Sequence, residues 1–133
     1  MLVAIADTHA AIWYLYSDPR LGSKASALIE AAAANGDVVG VSAISLAELI
    51  YLTEKARIPY GAFSSLLGAM ASAEPVLRHL PFDDKVAMKM TEVPREDIPD
   101  LPDRIVAATA LLHGVPVLSR DNRIRSSQTL TIW

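Results

Sequence analysis

The chain has no cysteine among its 133 residues. Neither a disulfide nor a thiolate metal site is open to it, and a reducing compartment is its natural setting. Long apolar runs are missing too. Leu2 to Ala6 is followed at once by Asp7, so it is far too short for a signal peptide. Nothing approaches the roughly 20 apolar residues of a membrane-spanning helix. A soluble, cytoplasmic protein with no membrane partner is the expectation. No Gly-x-Gly-x-x-Gly, Walker A or Gly-x-Ser-x-Gly sequence occurs, which removes the familiar phosphate cradles and the serine-hydrolase elbow. The three histidines, His9, His79 and His113, lack the spacing of zinc ligands. Positive charge is in deficit, with 12 Lys and Arg against 15 Asp and Glu. That is not the bulk signature of a nucleic-acid binder, although net charge is a poor guide when acids are gathered to hold a metal.

Apolar residues make up 52% of the chain and mean hydropathy is +0.30. That suffices for a core, and the length fits one domain over residues 1–133. Leu2 to Ala6 and Val38 to Val41 are continuous apolar runs, the pattern of strands buried on both faces. Val76 to Leu80, Val115 to Leu118 and Leu130 to Trp133 complete the strands. Helices are expected over 8–16, over 23–34 with Ser23 as cap, from Ser42 to about Arg57, and over 60–71, 83–91 and 103–113. Asp18-Pro19, Asn35-Gly36 and Gly114 punctuate them. Strands alternating with helices imply βαβ units and a mainly parallel sheet of four to five strands, covered on both faces.

Sites in such sheets form beyond the carboxyl ends of the strands. The first strand runs into Asp7, the second leads to the helix bearing Glu48, and the strand at 115–118 delivers Ser119, Arg120 and Asp121. Asp103 opens the long helix before that strand, with Asp100 three residues earlier. Each acid has an ordinary explanation. Asp7, Asp100 and Asp103 can satisfy N–H groups at helix starts, Ser45 and Glu48 have capping-box spacing, and Asp121-Asn122 is good turn chemistry. None of these explains why all should gather at one edge. Clustered carboxylates repel and raise one another's pKa, and a hard divalent cation, Mg²⁺ or Mn²⁺, relieves that cost. Trp13, Tyr14 and Tyr16 form an aromatic cluster of the kind usually found in a core or subunit contact, and less often under a stacked base. Arg104, Arg120, Arg123 and Arg125 offer a basic edge to an RNA backbone. A phosphotransfer enzyme is disfavoured, because Asp7-Thr8-His9 lacks the second acid of Asp-x-Asp and the last lysine is Lys89.

These segments resemble a known family. Leu2 to Trp13, with Asp7-Thr8-His9, is similar to the opening of PIN-domain proteins, especially toxins of the VapC type from type II toxin–antitoxin systems. Val41 to Leu49 resembles the segment carrying their glutamate. Asp100-Leu-Pro-Asp103-Arg104 with the following Ala-Ala-Thr-Ala resembles the stretch of their third acid, and Val117 to Asp121 the strand ending in Ser-x-Asp. The four motifs stand in order along essentially the whole chain. The resemblance implies a Rossmann-like three-layer α/β/α PIN fold and a Mg²⁺- or Mn²⁺-dependent endoribonuclease. Asp7, Glu48, Asp103 and Asp121 would form its acidic cluster, with Asp7 and Asp103 as main metal ligands. Thr8, Ser119 and Asp100 are additional site candidates, and Asp97 a weaker one. The resemblance further implies a homodimer neutralised by a cognate antitoxin protein. The alternative is a non-catalytic PIN-fold module that binds RNA or a partner without cutting.

Overall fold

An apolar run with no polar face can be buried only between two layers, and that is how the chain uses its strands. The computed structural model describes residues 1–125 and 129–133. Strands β1 (Leu2–Ala6), β2 (Val38–Ser42), β3 (Leu77–Leu80), β4 (Val117–Leu118) and β5 (Thr131–Ile132) form one sheet in the order β3-β2-β1-β4-β5. Every pairing is parallel. The described residues form seven α-helices: α1 (Thr8–Leu15), α2 (Ser23–Asn35), α3 (Ala43–Glu54), α4 (Ala62–Met70), α5 (Asp84–Lys89), α6 (Leu101–His113) and α7 (Asn122–Arg125). A 3₁₀ turn, Met90–Glu92, follows α5. The expected three-layer architecture is present, with five strands in the sheet. No helix among the described residues is long and apolar enough to cross a membrane.

Side-chain alternation sorts the core into two halves. Ala4, Ala6, Val39, Val41, Leu77 and Leu118 pack on α1 to α4 through residues such as Trp13, Ile29, Leu49 and Leu66. Ile5, Leu80 and Val117 pack on the other layer, against Val86, Ile105, Ala108 and Ile124 of α5, α6 and α7. Full burial of one such aliphatic side chain contributes about 1.5–3 kcal/mol. Gly40 lies on this second face, where a Cβ would strike the side chains of Leu80 and Ile5. Its lack of a side chain is what lets β2 and β3 close here.

Several boundaries differ from the sequence reading for local reasons. Gly22, not Ser23, is the N-cap of α2, and no side chain bonds there. Asp100 caps α6, so the helix opens at Leu101 with Pro102 in its first turn. Gly114 then closes α6 with a left-handed φ of 65°, and β4 is only two residues long. The Asp121-Asn122 turn continues into α7, which buries Ile124. The strand order reverses between β1 and β4, leaving a crevice beyond their carboxyl ends.

Candidate active site

That crevice is a cavity of about 890 Å³, and Asp7, Glu48, Asp100, Asp103 and Asp121 all line it. Asp7 leaves β1 directly, Asp121 follows β4, Glu48 projects from the second turn of α3, and the other two begin α6. The ordinary role of three of these acids is real. Asp7 Oδ1 accepts the Ala10 N–H at 2.8 Å, Asp100 Oδ1 that of Asp103 at 3.0 Å, and Asp121 Oδ1 that of Arg123 at 2.8 Å. A carboxylate has two oxygens, so capping fixes its orientation without exhausting it.

The capping box did not form. Ser42 caps α3 instead, its hydroxyl accepting the Ile44 N–H at 3.2 Å. Ser45 and Glu48 turn to Thr8, whose Oγ1 lies 2.9 Å from Ser45 Oγ and 2.6 Å from Glu48 Oε1. A hydroxyl has one proton, so Thr8 donates to the carboxylate and Ser45 donates to Thr8. This relay ties α3 to α1 and fixes Glu48. Ser119, fully buried, links the two strand ends: its Oγ accepts the Asp121 N–H at 3.0 Å, and its hydroxyl also bonds Asp7.

Electrostatics at the cluster are unfavourable. Burial, followed by the negative charges of Asp100, Asp121, Glu48 and Asp7, pushes the Asp103 carboxyl up to about 7. Burial raises Asp7 despite its bonds from Ser119 and Ala10, and burial raises Glu48 despite its bond from Thr8. Among the described residues, no three carboxylates or imidazoles close on one point as a ready-made cage for a metal ion. The acids surround the cavity instead, with oxygen as their only donor.

The remaining candidates separate. Arg120 lines the cavity, whereas Asp97, Arg104, Arg123 and Arg125 do not. Arg104 is committed elsewhere, its Nε and Nη2 donating to Val93 O at 2.9 Å and Met90 O at 3.0 Å. The sequence reading missed Arg20, Arg57 and Trp133, which also line the cavity. Trp13 is only 5% exposed and belongs to the same lining, so it is not free for a subunit contact. Its position on the helix that starts at Asp7 was the available signal. Trp133 offered none, being remote in sequence.

Fold and cavity together define an α/β protein with a centre of five carboxylates at the switch point of a parallel sheet. The chain belongs to the PIN domain family, whose model matches residues 4–128. It is 34% identical over 136 aligned residues to Ribonuclease VapC22 of Mycobacterium tuberculosis (strain ATCC 25618 / H37Rv), and the match covers 100% of both chains. Its shape is similar to VapBC2 from Rickettsia felis bound to a DNA fragment from their promoter, with TM-score 0.72, 17% identity and 98% of each chain covered. It is similar also to DNA-bound VapBC from Salmonella typhimurium, with TM-score 0.71, 21% identity, and 100% of this chain and 98% of that one covered.

Proposed function

We propose that this chain, acting as a single PIN domain, is a metal-dependent endoribonuclease and the toxin of a toxin–antitoxin pair. The observation that carries the reading is the gathering of five carboxylates around one cavity, in a chain whose full-length relative is named a ribonuclease. Asp7 and Asp103 are the principal metal ligands, and Glu48 and Asp121 complete the set through a second ion or bound water. The carboxylate oxygens of these four acids favour Mg²⁺ or Mn²⁺ over zinc. The open ring of acids suits Mg²⁺, which binds through one or two carboxylates and keeps several waters. Bound there, a divalent cation supplies Lewis acidity and an activated water for phosphodiester hydrolysis.

The chain's own groups prepare that chemistry. The Ala10 N–H and the Ser119 hydroxyl hold Asp7 in one orientation. Thr8 does the same for Glu48. Asp103 gives up its proton when the site is filled, because a neighbouring cation reverses the repulsion that holds the proton on. Arg120 faces the RNA. A cognate antitoxin is the expected protein partner, since the similar solved structures include a toxin–antitoxin complex from Klebsiella pneumoniae. Ile50, Tyr51 and Leu67 are exposed on α3 and α4, as is Tyr60 between them, and they form the surface on which a second copy would pack.

The test is cleavage of a mixed RNA pool with Mn²⁺ or Mg²⁺ by wild type and by Asp7→Asn. Metal-dependent cutting that disappears in the variant is expected. No cutting by partner-free wild-type protein that also binds no metal would replace this reading with a non-catalytic binding module.

A further inference from the structure

Away from the acids, the same cavity holds two guanidiniums against one indole. Its construction begins where α1 ends. Ser17 adopts a left-handed φ of 51°, and Asp18 N–H returns to Trp13 O at 2.8 Å. The reversed chain then lays Arg20 against the helix, with its Cζ 4.9 Å from the centroid of the Trp13 ring. Asp18 neutralises that guanidinium through Nε at 3.0 Å and Nη2 at 2.8 Å. Arg120 arrives from the exit of β4, with its Cζ 4.5 Å from the same ring. Trp133 supports Trp13 edge-on, its centroid 5.8 Å away.

Arg120 is next to Asp121 in sequence and lines a cavity with five carboxylates. The ion pairs of the described residues nevertheless fall elsewhere, at Met1–Asp37, Asp18–Arg20 and Lys89–Glu92. The indole holds Arg120 on its face through a cation–π contact, leaving the exposed guanidinium to the cavity. A guanidinium is planar. With one side against an aromatic ring, its other side is a stacking surface for a nucleobase. Trp13 lies six residues after Asp7, roughly 9 Å of helix rise, which places this surface one nucleotide or so from the acids.

Building on the ribonuclease reading, the geometry points to Arg120, seated on Trp13, as a specificity-determining subsite that stacks one base flanking the scissile phosphate. Stacking tolerates every base but strengthens with ring size, so the position prefers a purine. Arg20, already paired, contributes little charge and braces the indole.

The test uses the oligonucleotide cut in the pool assay, with an abasic nucleotide placed at each position in turn. Wild type, Arg120→Ala and Arg120→Lys are compared with Mn²⁺ present. In wild type, one flanking abasic position raises KM about tenfold. Both variants show a similar rise on intact RNA with kcat nearly unchanged, and neither responds to that abasic position. Lysine keeps the charge but loses the plane, so wild-type behaviour of Arg120→Lys would make Arg120 a phosphate contact and overturn the proposal. Indifference of wild type to every abasic position would overturn it as well. If no protein cuts, the ribonuclease reading fails separately, and indole emission decides the subsite, because both tryptophans of the chain line the cavity. Quenching by intact RNA that is lost in both variants sustains the subsite, and equal quenching in all three removes it.

Discussion

The two ends of one cavity are held together by opposite means. At the acidic end, five carboxylates share a partly buried space, and burial with mutual repulsion lifts Asp103 to about 7. At the other end, Asp18 neutralises Arg20, and Trp13 carries both guanidiniums. One end is unfavourable until a ligand brings charge, while the other is satisfied at rest and offers shape. On the function proposed above, the costly region would take the cation and the settled region would meet the substrate.

Asp103→Asn should break the acidic end most severely. Cleavage falls by about a hundredfold or more, as expected when a group acting on transition-state charge is lost. The metal-free variant should melt higher than wild type, because a buried charge and its repulsions disappear together. Activity assays and thermal melts in chelator check both halves, and a lower melting temperature would show that the cluster is not repulsive at rest.

Thr8→Val sharpens the same point with a smaller effect. The variant keeps the shape but cuts the relay from Ser45 to Glu48. Losing a group that orients a ligand lowers activity about 10- to 100-fold. The buried Ser45 hydroxyl left without Thr8 costs about 1–3 kcal/mol of stability. Thr8→Ser should restore both in large part, as urea titration and kinetics can show.

The pH dependence follows from the raised carboxyls. The ordinary value for Asp103 is 3.8, and in the folded chain it is about 7. Between those values the folded state holds a proton that the unfolded chain has released, so metal-free stability falls as pH rises through this window. Mn²⁺ should raise the melting temperature strongly above pH 7 and little at pH 5, where it must displace that proton. Equal stabilisation at both pH values would contradict a shared acidic site.

Much of this was legible in the sequence, because strands buried on both faces and helix punctuation by Gly36 and Gly114 are local signals. Asp7, Glu48, Asp103 and Asp121 could be placed at one sheet edge since topology alone carries them there. Arg20, Arg57 and Trp133 could not be placed at the cavity, because tertiary packing brings them there, and Arg20 reaches Trp13 through a left-handed turn at Ser17 that no Gly announces. Arg104 misled for a related reason. Its place among the basic residues suggested an RNA edge, while its side chain closes the turn at Met90 and Val93. Arg104→Ala should therefore cost about 1–3 kcal/mol of stability and leave cleavage per folded molecule close to wild type.

The smallest effect is expected at Asp18. Its carboxylate is held at about 2 by the Arg20 side chain, and the pair sits at the surface, with the Arg20 side chain 61% exposed and that of Asp18 21%. Removing its charge in Asp18→Asn should leave stability nearly unchanged, because an exposed ion pair contributes little. Arg20, no longer neutralised, then adds positive charge to the recognising end of the cavity. RNA should bind a few-fold more tightly at low salt, and the gain should vanish at high ionic strength, where exposed charges are screened within a few ångströms. KM measured at two salt concentrations decides the matter. A gain that persists at high salt would mean that Asp18 shapes the subsite through position rather than charge, and that the settled end is less settled than its ion pair implies.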